Sequence, residues 1–228
     1  MSDGMPKKIA SIACVAALIA GCGTSSLLDS ELPVATSYVI APLPPAASAT
    51  QSAASQTDLA IGRPDVAPGL DTSRVAVLRG RQLDYYRGVQ WGGNTLEIVQ
   101  SLLVSSLQDQ KLFRSVTSEQ ARVAGAYMLD SEVRDFQAEY TEGNSAPAAH
   151  VTIIGRLIRI SDRALVDTIS ATAKRDATDN KMGAVAAAFE AAAQQVAQTL
   201  ARDAAAAVAR DRERVLAIPT PPTPEASR

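Results

Sequence analysis

The sequence predicts an α+β fold. We expect a single domain with a mostly antiparallel sheet, packed by two main helices, the second a long C-terminal one. Three observations carry this. Alternating and β-branched segments recur between residues 58 and 86 and again between 127 and 173. After Asn94 the apolar residues change to spacings of three and four. The same spacing returns in an alanine-rich setting from Met182 to Val208.

Residues 1–21 read as a secretory signal. Lys7 and Lys8 precede an apolar run from Ile9 to Ala20, which closes on Leu18-Ile19-Ala20-Gly21-Cys22. A basic start, a short hydrophobic middle and small residues before a break are the parts of such a signal. A cysteine directly after them marks a bacterial lipobox. In that chemistry the Cys22 thiol takes a diacylglyceryl group, the peptide is cut before it, and the new amine is acylated, as by palmitate. The run of about 12 apolar residues is short of the roughly 20 that a bilayer-spanning helix needs. Gly23 follows Cys22 in place of aspartate, which by enterobacterial sorting logic resembles an outer-membrane address. Asp3 is unusual in a signal's basic start, and Met5 would give a cleaner beginning.

Residues 22–37 are expected to be a lipidated tether. They mix small polar residues with Leu27, Leu28 and Leu32, and about fifteen extended residues reach roughly 50 Å. The folded domain is expected over residues 38–212. Tyr38-Val39-Ile40 opens it as a short edge strand. Residues 41–57 hold proline, alanine, serine and glutamine without periodicity, the pattern of a disordered loop. Leu59 to Gly62 and Arg74 to Arg79 read as strands around a turn-rich stretch with Pro64, Pro68 and Gly69. Leu83 to Tyr86 makes a third, with Gly80 to Gln82 as the hairpin turn.

Leu96, Val99, Leu103 and Leu107, widened by Ile98 and Leu102, form one stripe of an amphipathic helix. Asn94 or Thr95 caps it, and Glu97 stands where a capping box needs an acid. It ends near Gln110. Phe113 to Val116 is a short strand or an anchoring turn. Three strands follow: Tyr127 to Phe136, Ala149 to Ile160 and Leu165 to Ala173. The second is apolar on both faces in places, as a central strand is. The third should turn Leu165, Ile169 and Ala171 inward. Ser161-Asp162-Arg163 and the loop at Glu142-Gly143-Asn144 would connect them as an antiparallel meander.

The last helix runs from Met182 through Val185, Phe189, Ala193, Val196, Leu200 and Val208, roughly 40 Å for 27 residues. Its alanine surface allows close approach, and we expect that face on the sheet; the alternative is that Ala201 to Ala209 meets another subunit. Residues 213–228 form a proline-rich tail.

Composition excludes several functions. The net charge is −2. The signal carries Lys7, Lys8 and Asp3, a sum of +1, so the exported body is near −3. That argues against a nucleic-acid partner. Cys14 leaves with the signal and Cys22 is consumed by lipid, so no thiol remains for a disulfide, a metal or a nucleophile. His150 is the chain's one histidine and sits in a strand, where a structural role is the default. Gly92-Gly93-Asn94-Thr95 lacks the lysine and spacing of a phosphate loop. No zinc spacing and no nucleophile elbow is present. The expected catalytic, cofactor and metal sites are therefore none, and the protein is expected to be no enzyme. Tyr85, Tyr86 and Trp91 cluster in a chain with few aromatics. They either plug the following helix against the sheet, or Tyr86 and Trp91 form a partner contact.

The order of these parts resembles the ABC-type transport auxiliary lipoproteins. The lipobox is followed by Tyr38 and its strand, a proline-rich gap, and the pair around Leu70-Asp71 and Arg74-Val75. Then come Leu83-x-Tyr85-Tyr86 with Trp91, a helix ending before Phe113-x-x-Val116, Tyr127-x-Leu129, Phe136, a valine–isoleucine strand and a long alanine-rich helix. The likeness spans about Tyr38 to Arg210. Its nearest branch looks like the lipoprotein partner of paraquat-inducible membrane systems. Where that family usually has alanine and soon a proline after its tryptophan, this chain has Gly92-Gly93. The resemblance implies a periplasmic α+β domain anchored to the outer membrane. The partners it implies are an ABC permease, an ATPase and a mammalian-cell-entry-domain protein that together move lipid or other apolar molecules. Some relatives assemble into rings, which implies a homo-oligomer. Two other readings stay open: a lipid-binding shuttle, and an outer-membrane assembly or secretion accessory.

Overall fold

The computed structural model describes residues 35–47, 53–121 and 125–217. The signal, Cys22, most of the tether, residues 48–52 of the expected loop and residues 218–228 of the tail lie outside them. The described elements are strands β1 (Thr36–Tyr38), β2 (Asp58–Ile61), β3 (Asp65–Val66), β4 (Arg74–Arg79) and β5 (Gln82–Trp91), then helix α1 (Thr95–Asp109). Strands β6 (Ser115–Ser118), β7 (Tyr127–Tyr140), β8 (Ala148–Arg159) and β9 (Ala164–Asp176) follow, and helix α2 (Met182–Ala217) closes the order.

β7 is the spine of one sheet. Along one edge it pairs antiparallel with β8, and β8 pairs antiparallel with β9. Along its other edge β2, β3 and β4 lie end to end, each parallel to it. Gly62, Pro64 and Pro68 explain the breaks, since a proline cannot donate to a ladder. β5 returns antiparallel to β4, and β1 adds to β5 in parallel. β6 pairs in parallel with the far side of β2. The expected meander of three long strands is present. The sheet as a whole is mixed, because the short flanking pairs are parallel and only the long strands and the β4–β5 hairpin are antiparallel. The hairpin turns at Gly80, whose φ of 60° is the left-handed conformation that glycine adopts without strain.

Two expectations at β1 and β9 shift. The edge strand is Thr36–Tyr38, and Val39 is 76% exposed beyond it. Leu165 is 59% exposed, whereas Ile169 and Ala171 are buried as expected. The cause is a bulge: Leu157 pairs with Asp167 but Ile158 pairs with Leu165, so Val166 is an extra residue. One added residue sends every side chain before it to the opposite face.

α1 keeps its capping box, with the Asn94 N–H donating to Glu97 Oε2 at 3.2 Å. Val99, Leu102, Leu103 and Leu107 are buried, while Leu96 is only half-buried. α2 is longer than its apolar stripe and runs 36 residues, into the expected tail. It packs on β8, β9 and α1. Ala201, Ala204, Ala205, Ala207 and Val208 are buried within this chain, so the distal half belongs to the core. Close approach is real at Gly155, where an added Cβ would lie 2.9 Å from Leu200 Cδ2.

Residues 41–47 and 53–57 depart from the expected disorder. The first forms a strap across both helices. Leu43 is buried and its N–H donates to Ser106 Oγ at 3.0 Å. Gln194 Nε2 donates to the carbonyls of Ala41 and Pro42 at 3.1 Å, and Ala46 N–H to that of Asp109 at 3.0 Å. A segment without periodicity is ordered here by side chains reaching from the helices. Ala53–Gln56 forms a short 3₁₀ turn with Ala54 buried against α2.

Candidate functional site

Trp91 and Tyr86 separate in the structure. Trp91 is 1% exposed and meets Phe136 and Phe189 edge-on, with ring centroids at 5.9 and 5.0 Å. These rings join the end of β5, the middle of β7 and the inner face of α2. Trp91 therefore anchors the core and offers no side-chain surface to a partner. Tyr86 is half-buried and donates to the Tyr140 hydroxyl at 3.3 Å, which donates to Asn180 Oδ1 at 2.5 Å. Burial first, and then Tyr140, pushes the Tyr86 hydroxyl pKa well above its usual range.

Directly after Trp91 lies an open apolar groove of about 270 Å³. Val39 and Ile40 face Ile98 and Leu102 of α1 across a floor at Gly92 and Gly93. A Cβ on Gly92 would stand 3.2 Å from Val39 Cγ1, and one on Gly93 3.1 Å from Glu97 Oε2. The glycine pair thus keeps the groove open. Glu97, the one charged group lining it, is occupied by the cap. The arrangement provides shape and apolar contact and pairs no nucleophile with a base.

Two polar clusters lie elsewhere. On the sheet face, Glu139 accepts from Lys174 Nζ at 2.6 Å and stands 2.7 Å from His150 Nδ1. Burial raises the Glu139 pKa, but the bonds from Lys174 and His150 outweigh it and hold the carboxyl below its ordinary value. His150 is thus a strand residue engaged by Glu139. At the opposite end of the sheet, Asp211 of α2 is buried. It accepts from Tyr127 at 2.8 Å and from Arg159 Nη1 at 2.8 and 3.1 Å. Burial, followed by that bond to Asp211, pushes the Tyr127 hydroxyl up to about 12. Among the described residues, no group of three or more His, Cys, Asp or Glu side chains could hold a metal. No described helix is long and apolar enough to cross a membrane.

A family model, the ABC-type transport auxiliary lipoprotein component, matches residues 38–201, which hold the sheet, the groove and most of α2. The chain belongs to this family. Membership makes it a lipoprotein of a bacterial envelope membrane, associated with ABC-type transport. It is similar to the crystal structure of a Xanthomonas campestris protein, with 26% identity and a TM-score of 0.70. That match covers 78% of this chain and 99% of the other. A second crystal structure, of an uncharacterized protein, shares the fold at 13% identity and a TM-score of 0.54, again over 78% and 99% of the two chains. No curated protein matches.

Of the residues this auxiliary lipoprotein's sequence singles out, Cys22, the expected lipid site, lies outside the described residues, and Tyr86 sits in the sheet beside Tyr140. Sequence reasoning missed Asp211 and Glu139. Asp211 had a signal: it falls three residues after Val208, so it continues the apolar stripe and had to be buried. Glu139 had none, because its partners come from two other strands.

Proposed function

We propose that this chain is the membrane-anchored docking component of an ABC-type system that moves lipid or another hydrophobic solute. Cys22 carries the lipid, the domain faces the periplasm from the outer membrane, and it acts by binding rather than by catalysis. Its partners are the permease and ATPase of the system and a mammalian-cell-entry-domain protein, and it is open to self-association as a homo-oligomer. The observation that carries this reading is the family match over residues 38–201, with the Leu-Ile-Ala-Gly-Cys lipobox a short tether ahead of it. The groove of about 270 Å³ and a second open cavity of about 370 Å³ beside Tyr127, Arg159 and Ile160 lie at or just below the low end of the roughly 300–1,000 Å³ typical of small-molecule sites, too small to enclose a phospholipid. That weighs against the alternative of a shuttle carrying lipid in its own pocket. Pull-down from detergent-solubilised envelopes tests the reading. Recovery of the mammalian-cell-entry-domain protein or the permease is expected, and their repeated absence beside a working control overturns it.

A further inference from the structure

We propose that the β4–β5 hairpin is a membrane-facing surface, docking on the anionic lipid headgroups of the bilayer that holds the protein's own anchor. The proposal rests on Cys22 being that anchor.

Charge is the first ground. Between Arg74 and Trp91 the chain carries Arg74, Arg79, Arg81 and Arg87 against one acid, Asp84, a formal +3 in a chain whose net charge is −2. All four arginines are exposed. Arg74 lies 3.9 Å from the centroid of Tyr85 and Arg79 4.6 Å from that of Tyr140, so aromatic faces hold both in place. Among the described residues, no ion pair or hydrogen bond engages the side chain of Arg81 or Arg87. Leu83, 37% exposed, adds an apolar side chain beside the tip. The rest of this end carries Lys174, Arg175 and Lys181 against Glu139, Glu142, Asp176 and Asp179, so the hairpin arginines supply its excess of positive charge.

Chain direction is the second ground. Thr36 pairs with Val89 and Tyr38 with Trp91, in parallel. β1 therefore begins on the side of Arg87 and the hairpin tip. From Val89 back to Gln82 is seven residues, roughly 23 Å of strand. From Cys22 to Thr36 is 14 residues, a reach of at most about 50 Å. The bilayer is thus within reach on the tip side. Attraction to headgroups fades over a Debye length of about 8 Å, so the arginines act once the tether, which is long enough to allow it, lets the hairpin approach the surface. β7 runs parallel to β4, so Tyr127, Arg159 and the last turn of α2 lie at the opposite end. Docking by the hairpin turns that end, with Leu216 82% exposed, away from the membrane.

The test uses the full lipidated protein in vesicles, with a donor dye on Gln82→Cys or on Leu216→Cys and an acceptor on the headgroups. With phosphatidylglycerol present, transfer from position 82 should be at least about twofold higher than from position 216. The difference should collapse with Arg81→Glu plus Arg87→Glu, with zwitterionic lipid alone, and in about 1 M salt, where the Debye length is about 3 Å. Both substitutions fall on exposed side chains, and an unchanged thermal melt checks the fold. Protein that stays on floating vesicles with its two ends equidistant overturns the hairpin proposal alone. A preference that survives charge reversal and neutral lipid overturns it too. Release from vesicles in salt overturns the anchor and this proposal together.

Discussion

Trp91 shows how much one side chain can hold. It is the chain's one tryptophan and is 1% exposed against Phe136 and Phe189. Trp91→Ala should cost about 3–5 kcal/mol, the usual toll of emptying a large aromatic site. Urea unfolding of the variant, followed by circular dichroism, measures it. Asp58 sets an acid limit instead. Hydrogen bonds from Arg114, then from Ser115, lower its pKa from 3.8 to about 2. The folded value is the depressed one, so the stabilisation is complete above about 3.8 and is lost as pH falls toward about 2. Asp58→Asn should make the acid loss of stability shallower across that window, the remainder coming from Glu132, Glu139, Asp162 and Asp179, and melting temperatures between pH 2 and 5 would reveal the change in slope. Sequence left the first role open between two readings and gave no sign of the second. A tryptophan beside two glycines reads equally well as buried or displayed, and Asp58 needs a partner 56 residues away.

α2 is the element on which packing turns. Its alanines let it lie close to the sheet, and Gly155 of β8 is the contact that leaves no slack. A Cβ there would meet Leu200 at 2.9 Å and Leu129 at 3.0 Å. Gly155→Ala should therefore destabilise by roughly 1–3 kcal/mol through overpacking. Leu200→Ala in the same chain should restore part of that loss, and a double-mutant cycle in urea checks the coupling. Asp211 fastens the far end of the helix. Asp211→Asn keeps the shape but removes the charge facing Arg159 and Tyr127. It should cost about 1–3 kcal/mol, and a lowered urea midpoint would register it. Both helices and the three long strands were legible from periodicity. β2 was legible from its apolar run, whereas β3, at two residues, is too short for a period to establish itself, and β6, at four, read equally as a strand or a turn.

The assembled molecule has two unlike ends, and anchoring gives that difference meaning. β1 begins on the side of the arginine hairpin, and α2 ends on the other. Cys22→Ser should move the protein from the membrane fraction to the soluble periplasmic fraction, and unchanged retention would remove lipid as the cause. Envelope fractionation with a blot decides it.

Local pattern by itself determined the two helices and their cap, the long strands, and the expectation of a lipid on Cys22. Those features are written in neighbouring residues, because a helical or strand period repeats every few positions. Tertiary structure alone decided that short strands line one edge of β7 in parallel, that residues 41–47 are ordered, that Leu165 faces out and that Trp91 faces in. Each of these depends on a partner far along the chain, or on a single bulge that reverses a face, and no local spacing encodes either.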